Sequence, residues 1–205
     1  MLSVLLIKGK HARHQEKVLG SELRGEEHEL ITETSWDEGL KIAKGEYVCL
    51  VEPEARVSDN FFHDLLDVFL EQPSFRKLAF VAPSISKPEW FDTKRIYGYK
   101  INEIGITPSY IKSSISPYSI QIGYLPGAII RKSILGNLAD VERDSVMGSV
   151  RISLRFWSEG LRCLIDPRAI YVTGAPHVEI PLLIEDSLPK DMTKLVRMFR
   201  REIIG

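Results

Sequence analysis

Several features are scarce or missing in this 205-residue chain, and each absence closes off a class of protein. Cysteine is scarce. The two present, Cys49 and Cys163, lie far apart inside apolar runs, in no metal-type spacing, and fit free buried thiols in a reducing compartment. Long apolar runs are missing. The opening M-L-S-V-L-L-I is too short for the apolar region of a secretory leader and has no basic stretch before it. Nothing later approaches a membrane span of ~20 apolar residues, so a cytoplasmic protein is the expectation. An excess of one charge is missing too: the formal net charge is -1, so any preference for nucleic acid or a membrane must be local. There are no internal repeats, no low-complexity tract and no convincing linker. What remains, 44% hydrophobic and 27% charged residues, suits one soluble α/β domain with a sizeable core.

The most informative stretch runs from Ser35 to Leu66. Leu40, Ile42 and Ala43 give a short helix its apolar side, and Gly45 is placed to stop it. Tyr47 to Val51 is a continuous apolar run, the pattern of a central strand covered on both faces. Glu52 and Glu54 follow at its carboxyl end, with Pro53 between them, and Ser58 is placed to cap a helix carrying Phe61, Phe62, Leu65, Leu66 and Phe69. Ligands of open α/β sheets sit beyond the carboxyl ends of the strands, and two acids there suit a divalent cation and, through it, a phosphate.

Elsewhere, Leu2 to Ile7 and His28 to Thr32 read as strands, as does Leu78 to Ala82. Lys8, Lys10, His11, Arg13 and His14 make a local basic group after the first strand. Pro83 to Pro117 has only weak periodicity and reads as a long lid or binding loop, with Trp90, Phe91, Tyr97, Tyr99 and Tyr110 suited to stacking. Val146 to Gly160 is an amphipathic helix. A last helix from about Leu188 sets Met192, Leu195, Val196, Phe199 and Ile203 against Lys190, Lys194, Arg197, Arg200 and Arg201. Such a helix either docks its apolar stripe on the domain or lies on an acidic surface.

Three stretches, in this order, resemble GT-A fold glycosyltransferases of the family 2 type. The phrase A-K-G-E-Y-V-C-L-V-E-P-E looks like the family's strand ending in a D-x-D-like acid pair, with Glu52 and Glu54 in place of the aspartates. I-Q-I-G-Y-L-P-G-A-I-I-R-K (Ile120 to Lys132) looks like the small-residue turn before a short strand, a basic residue and a helix. I-S-L-R-F-W-S-E-G-L-R-C-L-I-D-P-R-A resembles "L-x-L-R-x-x-x-x-G" followed by "P-x-A".

The resemblance implies a single GT-A-like α/β domain over residues 1–205 with a mostly parallel central sheet flanked by helices. Residues 1–82 would form the nucleotide-binding half, 83–186 the acceptor-side half and 187–205 the C-terminal amphipathic helix. It implies transfer of a sugar from a nucleotide-diphosphate sugar to an unidentified acceptor, with Mn or Mg held by Glu52, Glu54 and His177. Glu33, with Asp37 nearby, would hold the nucleoside, and Gly127 would line the sugar site. The family's catalytic "E-D" pair falls on Gly148 and Ser149, neither of which takes a proton usefully near neutral pH. Asp144 is the nearest candidate base. Two other readings stay open: a nucleotide-sugar-binding module without catalysis, and a nucleotidyltransferase on a similar sheet.

Overall fold

The structure is a computed structural model, described here for residues 1–10, 12–25, 27–71, 77–88, 94–102, 105–110, 112, 114–136, 138–174, 180–181 and 190–201. The element order is β1 (Leu2–Ile7), α1 (Ala12–Glu22), β2 (His28–Glu33), α2 (Trp36–Ile42), β3 (Tyr47–Val51), β4 (Arg56–Val57) and α3 (Phe61–Glu71). Then come β5 (Leu78–Ser86), β6 (Tyr99–Asn102), β7 (Gly105–Pro108), β8 (Tyr118–Ser119), β9 (Ile129–Arg131) and α4 (Ala139–Arg143). The chain continues through α5 (Ser145–Ser158), β10 (Arg162–Val172), β11 (Ile180–Pro181) and α6 (Lys190–Arg201).

The large sheet has the order β2-β1-β3-β9-β5-β10-β4, with β8 added on β10. Strands β1, β2 and β3 pair in parallel, as do β5 and β10. The short β9 is antiparallel to both β3 and β5, so the long strands on either side of it run the same way. Their carboxyl ends therefore open on one edge of the sheet.

Period-two alternation builds the two faces. Val4 and Leu6 of β1, with Cys49 and Val51 of β3, join Leu19 of α1, Leu23 just after it, and Phe61, Phe62 and Leu65 of α3. Leu5, Val48 and Leu50 point the other way, onto Trp36 and Ala43 around α2 and Leu138 and Val141 around α4. Phe61 and Phe62 are fully buried and meet edge to face at 5.1 Å, each burial stabilising the fold by about 1.5–3 kcal/mol. Among the described residues no helix is long and apolar enough to cross a membrane.

Three local expectations are corrected. Ser58 does not cap α3 with its side chain. Its Oγ accepts from the Ile170 N–H at 3.0 Å and its own N–H donates to the Ile170 carbonyl, so Ser58 extends the β4–β10 pairing. Helix α2 ends at Ala43, whose N–H donates to the Gly39 carbonyl, before Gly45 is reached. Gly45 is instead held where a Cβ would come within 2.6 Å of Ser3 Oγ. Finally, the stretch from Pro83 to Pro117 is not one long loop. It contains the end of β5 together with β6 and β7, which form a small antiparallel sheet with β11. These strands are only four residues long, too short for periodicity to reveal. Trp90 and Phe91 lie outside the described residues.

Candidate functional site

The loops that leave β1, β2, β3 and β10 meet at the carboxyl edge of the large sheet. Lys8-Gly9-Lys10 follows β1, and the Lys8 N–H donates to the Glu33 carbonyl at the end of β2, at 2.8 Å. Gly9 is seated against Pro53: a Cβ at Gly9 would stand 3.0 Å from Pro53 Cβ. The basic loop and the Glu52-Pro53-Glu54 turn are thus packed directly against each other.

Glu52 is half-buried and its carboxylate is already engaged. Tyr124 donates its hydroxyl to Oε1 at 2.6 Å, and Thr173 donates its hydroxyl to Oε2 at 2.7 Å. The Tyr124 oxygen also lies 2.9 Å from Ser145 Oγ at the start of α5. The Glu52 N–H donates to the Tyr171 hydroxyl oxygen at 2.8 Å. Burial first, and then the Glu52 charge, pushes the phenols of Tyr124 and Tyr171 well up from the ordinary tyrosine range. Tyr99 is pushed up by burial, then by Tyr110, Glu52 and Asp144. Hydrogen bonds to a carboxylate are among the stronger ones, so this cluster ties the ends of β3 and β10 to the 120–127 segment and α5.

Glu54 differs. It is exposed, its φ is +66°, and its N–H donates to Gln15 Oε1 at 3.1 Å while Gln15 Nε2 donates to the Glu52 carbonyl at 2.9 Å. A buried α1 glutamine therefore shapes the turn and turns Glu54 outward. Three clefts run along this edge. One of about 420 Å³ is lined by Lys8, Lys10, Arg13 and His14. His14 leads into a second, of about 370 Å³, with Gln15, Glu54 and Arg56. Glu54 and Arg56 lead into a third, of about 320 Å³, with Pro88, Thr173 and Gly174.

The other sequence candidates are more dispersed. Glu33 is half-exposed at the end of β2, on the same edge. Asp37 is in the first turn of α2, where its Oδ1 accepts from the Leu138 N–H at 2.8 Å. Glu142 of α4 reciprocates by accepting from the N–H groups of Trp36 and Asp37, so this pair of carboxylates fastens α2 to α4. Gly127 is buried with φ +81°, and a Cβ there would meet the Tyr171 ring at 2.6 Å. The space beside its Cα belongs to Tyr171. Asp144 is exposed and caps α5, its Oδ1 accepting from Val146 N and Met147 N at 3.1 and 2.9 Å. It stands next to Ser145 and so beside the Tyr124–Glu52 cluster. His177 lies outside the described residues.

Gly148 and Ser149 are buried in α5. Ser149 Oγ accepts from the Leu125 N–H at 2.9 Å, so the position fixes the segment that leads to Gly127. The P-R-A stretch forms a bulge in β10, where Arg168 grips the fully buried Asp166 with Nε and a terminal nitrogen. Tyr124, Thr173, Tyr171 and Gln15 were not singled out by sequence. Each acts through a partner far along the chain, and no local pattern marks such a pairing.

The described residues do not by themselves fit a divalent cation. Both Glu52 oxygens already accept hydroxyls, Glu54 adds one further carboxylate, and among the described residues no group of three or more His, Cys, Asp or Glu could hold a metal. A hard cation usually takes six or more oxygen ligands, and a pair with one member engaged supplies few of them.

This geometry defines the class at the level of the fold: a GT-A-like α/β domain, a mixed but mostly parallel sheet flanked by helices. Among solved structures the chain is similar to GalNAc-T7 in complex with UDP, GalNAc and Mn2+, with a TM-score of 0.53 at 10% identity. The likeness covers 87% of this chain and 44% of that one, so the chain spans less than half the length of this neighbour. No protein-family model matches the chain, and no curated protein matches it in sequence.

Proposed function

We propose that this chain binds a nucleotide-diphosphate sugar along the carboxyl edge of its large sheet and transfers the sugar to an acceptor. The observation that carries the reading is the connected run of clefts at that edge, cationic at Lys8, Lys10 and Arg13 and reaching Glu54 and Thr173. The GT-A-like fold adds support, since the solved neighbour holds UDP, GalNAc and Mn2+. In this reading Lys8, Lys10 and Arg13 face the diphosphate and Glu33 accepts from ribose hydroxyls. Glu54 is the exposed acid nearest the transferred sugar, with Glu52 held behind it as an anchor. Asp144 takes the acceptor proton. Asn caps a helix as well as Asp does, so Asp144→Asn separates that role from the cap. It leaves donor binding and helix content intact and abolishes turnover.

A second reading has its own observation. Gly148 and Ser149, where the resembled family carries its acids, are buried packing positions here. A donor-binding module without catalysis fits that arrangement. Calorimetric titration with UDP-, GDP- and TDP-sugars, each with Mn2+ and with EDTA, is the first test. The expected result is saturable binding of one donor with the same Kd in both conditions, because the Glu52 oxygens are engaged. Donor binding that requires Mn2+ would return Glu52 and Glu54 to a cation, and no binding of any donor overturns the proposal. Binding without transfer or hydrolysis of the donor selects the non-catalytic module, and pyrophosphate release from a nucleoside triphosphate selects nucleotidyl transfer.

A further inference from the structure

We propose that the outward face of α6 is a landing surface for an anionic lipid bilayer. Helix α6 is docked, not loose: Val196 and Phe199 are 1% and 4% exposed, and the Phe199 ring meets Trp157 of α5 edge to face at 5.4 Å. Docking fixes which way the rest of the helix looks. Positions 190, 194, 197 and 201 recur at helical spacing and share one stripe, on the side opposite Val196 and Phe199. All four are Lys or Arg, and Lys194 and Arg197 are exposed. With Arg200, the helix carries five basic residues against the single acid Asp191, in a chain whose net charge is -1. Lys194 and Arg197 therefore present positive charge on the outward stripe of a helix roughly 18 Å long.

Two features favour a bilayer over a nucleic acid. Met198 is 45% exposed on the flank of the basic stripe, where an apolar side chain gains by entering the headgroup boundary. The aromatic residue of α6, Phe199, is turned inward and offers no stacking platform for bases, and a helix ridge lacks the groove that tracks a nucleic-acid backbone. A row of Lys and Arg beside an apolar contact is the chemistry that holds a protein on acidic phospholipid.

The test is co-sedimentation of the whole chain with phosphatidylcholine vesicles, with and without phosphatidylserine, at low and high salt. Binding is expected only to the vesicles containing phosphatidylserine, and it weakens steeply as salt rises. Each basic side chain near such a surface contributes roughly fivefold in partitioning, so Lys194→Gln with Arg197→Gln lowers it by about 25-fold. Both side chains are exposed, and an unchanged urea midpoint shows that the variant still folds. Met198→Ser reduces binding further without changing the salt dependence. Equal binding to both vesicle types, undiminished binding of the double variant, or displacement of the protein from vesicles by an equal charge of oligonucleotide would each overturn the proposal.

Discussion

The Glu52 cluster yields a sharp energetic prediction, because it joins elements that sequence keeps far apart. Tyr124→Phe removes a hydroxyl that donates to Glu52 Oε1 at 2.6 Å and lies 2.9 Å from Ser145 Oγ. Hydrogen bonds to a charged group are worth about 1.5–3 kcal/mol, and a half-buried carboxylate belongs toward the lower end of that range. The single variant is expected to lose about 2 kcal/mol. Glu52→Gln keeps the size but replaces one acceptor oxygen by an N–H donor, which leaves either Tyr124 or Thr173 facing a donor, at a similar cost of about 2 kcal/mol. The double variant removes one interaction twice, so its loss falls short of the sum by about 1–2 kcal/mol. Urea unfolding followed by tryptophan fluorescence gives all four corners of the cycle, and constant slopes are required for the comparison. A coupling below about 0.3 kcal/mol would refute the reasoning, since it would mean that the carboxylate does not hold Tyr124 and is free for a ligand. The same variants separate anchor from ligand: donor affinity survives Glu52→Gln and falls in Glu54→Ala.

Two further outcomes follow from buried groups near the site. Gly127→Ala places a methyl 2.6 Å from the Tyr171 ring at φ +81°, so overlap and backbone strain together cost about 2–4 kcal/mol in urea unfolding. Gly20→Ala is the control: beyond its neighbours and its own helix backbone, no atom lies within 4 Å of the new Cβ in the last turn of α1, and the change should stabilise by about 0.5–1 kcal/mol. Tyr99, Tyr124 and Tyr171 have folded pKa values raised above the unfolded value of about 10, so they contribute stability that is full below that pH. It is lost as pH climbs from there toward the folded values. These three of the seven tyrosines should ionise only as the protein unfolds, so part of the tyrosinate absorbance should appear together with the loss of the fold. A single step near pH 10 with the fold intact would contradict it.

The long strands and amphipathic helices were legible because burial imposes a period that composition carries. Leu2–Ile7 and Tyr47–Val51 fall where the apolar runs place them, and α5 differs from its sequence reading only at its ends. The docked side of α6 was legible for the same reason. Elements of two to four residues carry no period, so β6 and β7 within 83–117, and β11, which pairs with β7, were invisible. Helix α1 was missed because its apolar content is thin: only Gln15 and Leu19 are buried within it, and Gln15 reads as a surface residue until Glu52 and Ala55 supply its partners. At the candidate site, sequence pointed to the acids and the basic loop but not to the hydroxyls that hold Glu52. A hydroxyl donor is recognisable only when its acceptor is in view, and Tyr124 and Thr173 lie in separate loops long after β3.

Strand β9 has a consequence for how the molecule assembles. Three residues, Ile129 to Arg131, are the seam between the block of β1, β2 and β3 and the block of β5 and β10. Among the described residues no strand of one block pairs with a strand of the other, and the seam is made only after both of its neighbours, β3 and β5, have been synthesised. Each block carries its own helices, so each has the makings of a cooperative unit that opens separately once the seam is undone. The Gly127 N–H donates to the Leu50 carbonyl at 2.7 Å, and the bridge between Leu50 and Pro126 lies just ahead of β9. These contacts act as the latch that admits the strand. Amide exchange at Ile129 and Ile130 therefore reports the docking of the two halves, and a slow step at that seam would set the pace of the final closure of the sheet.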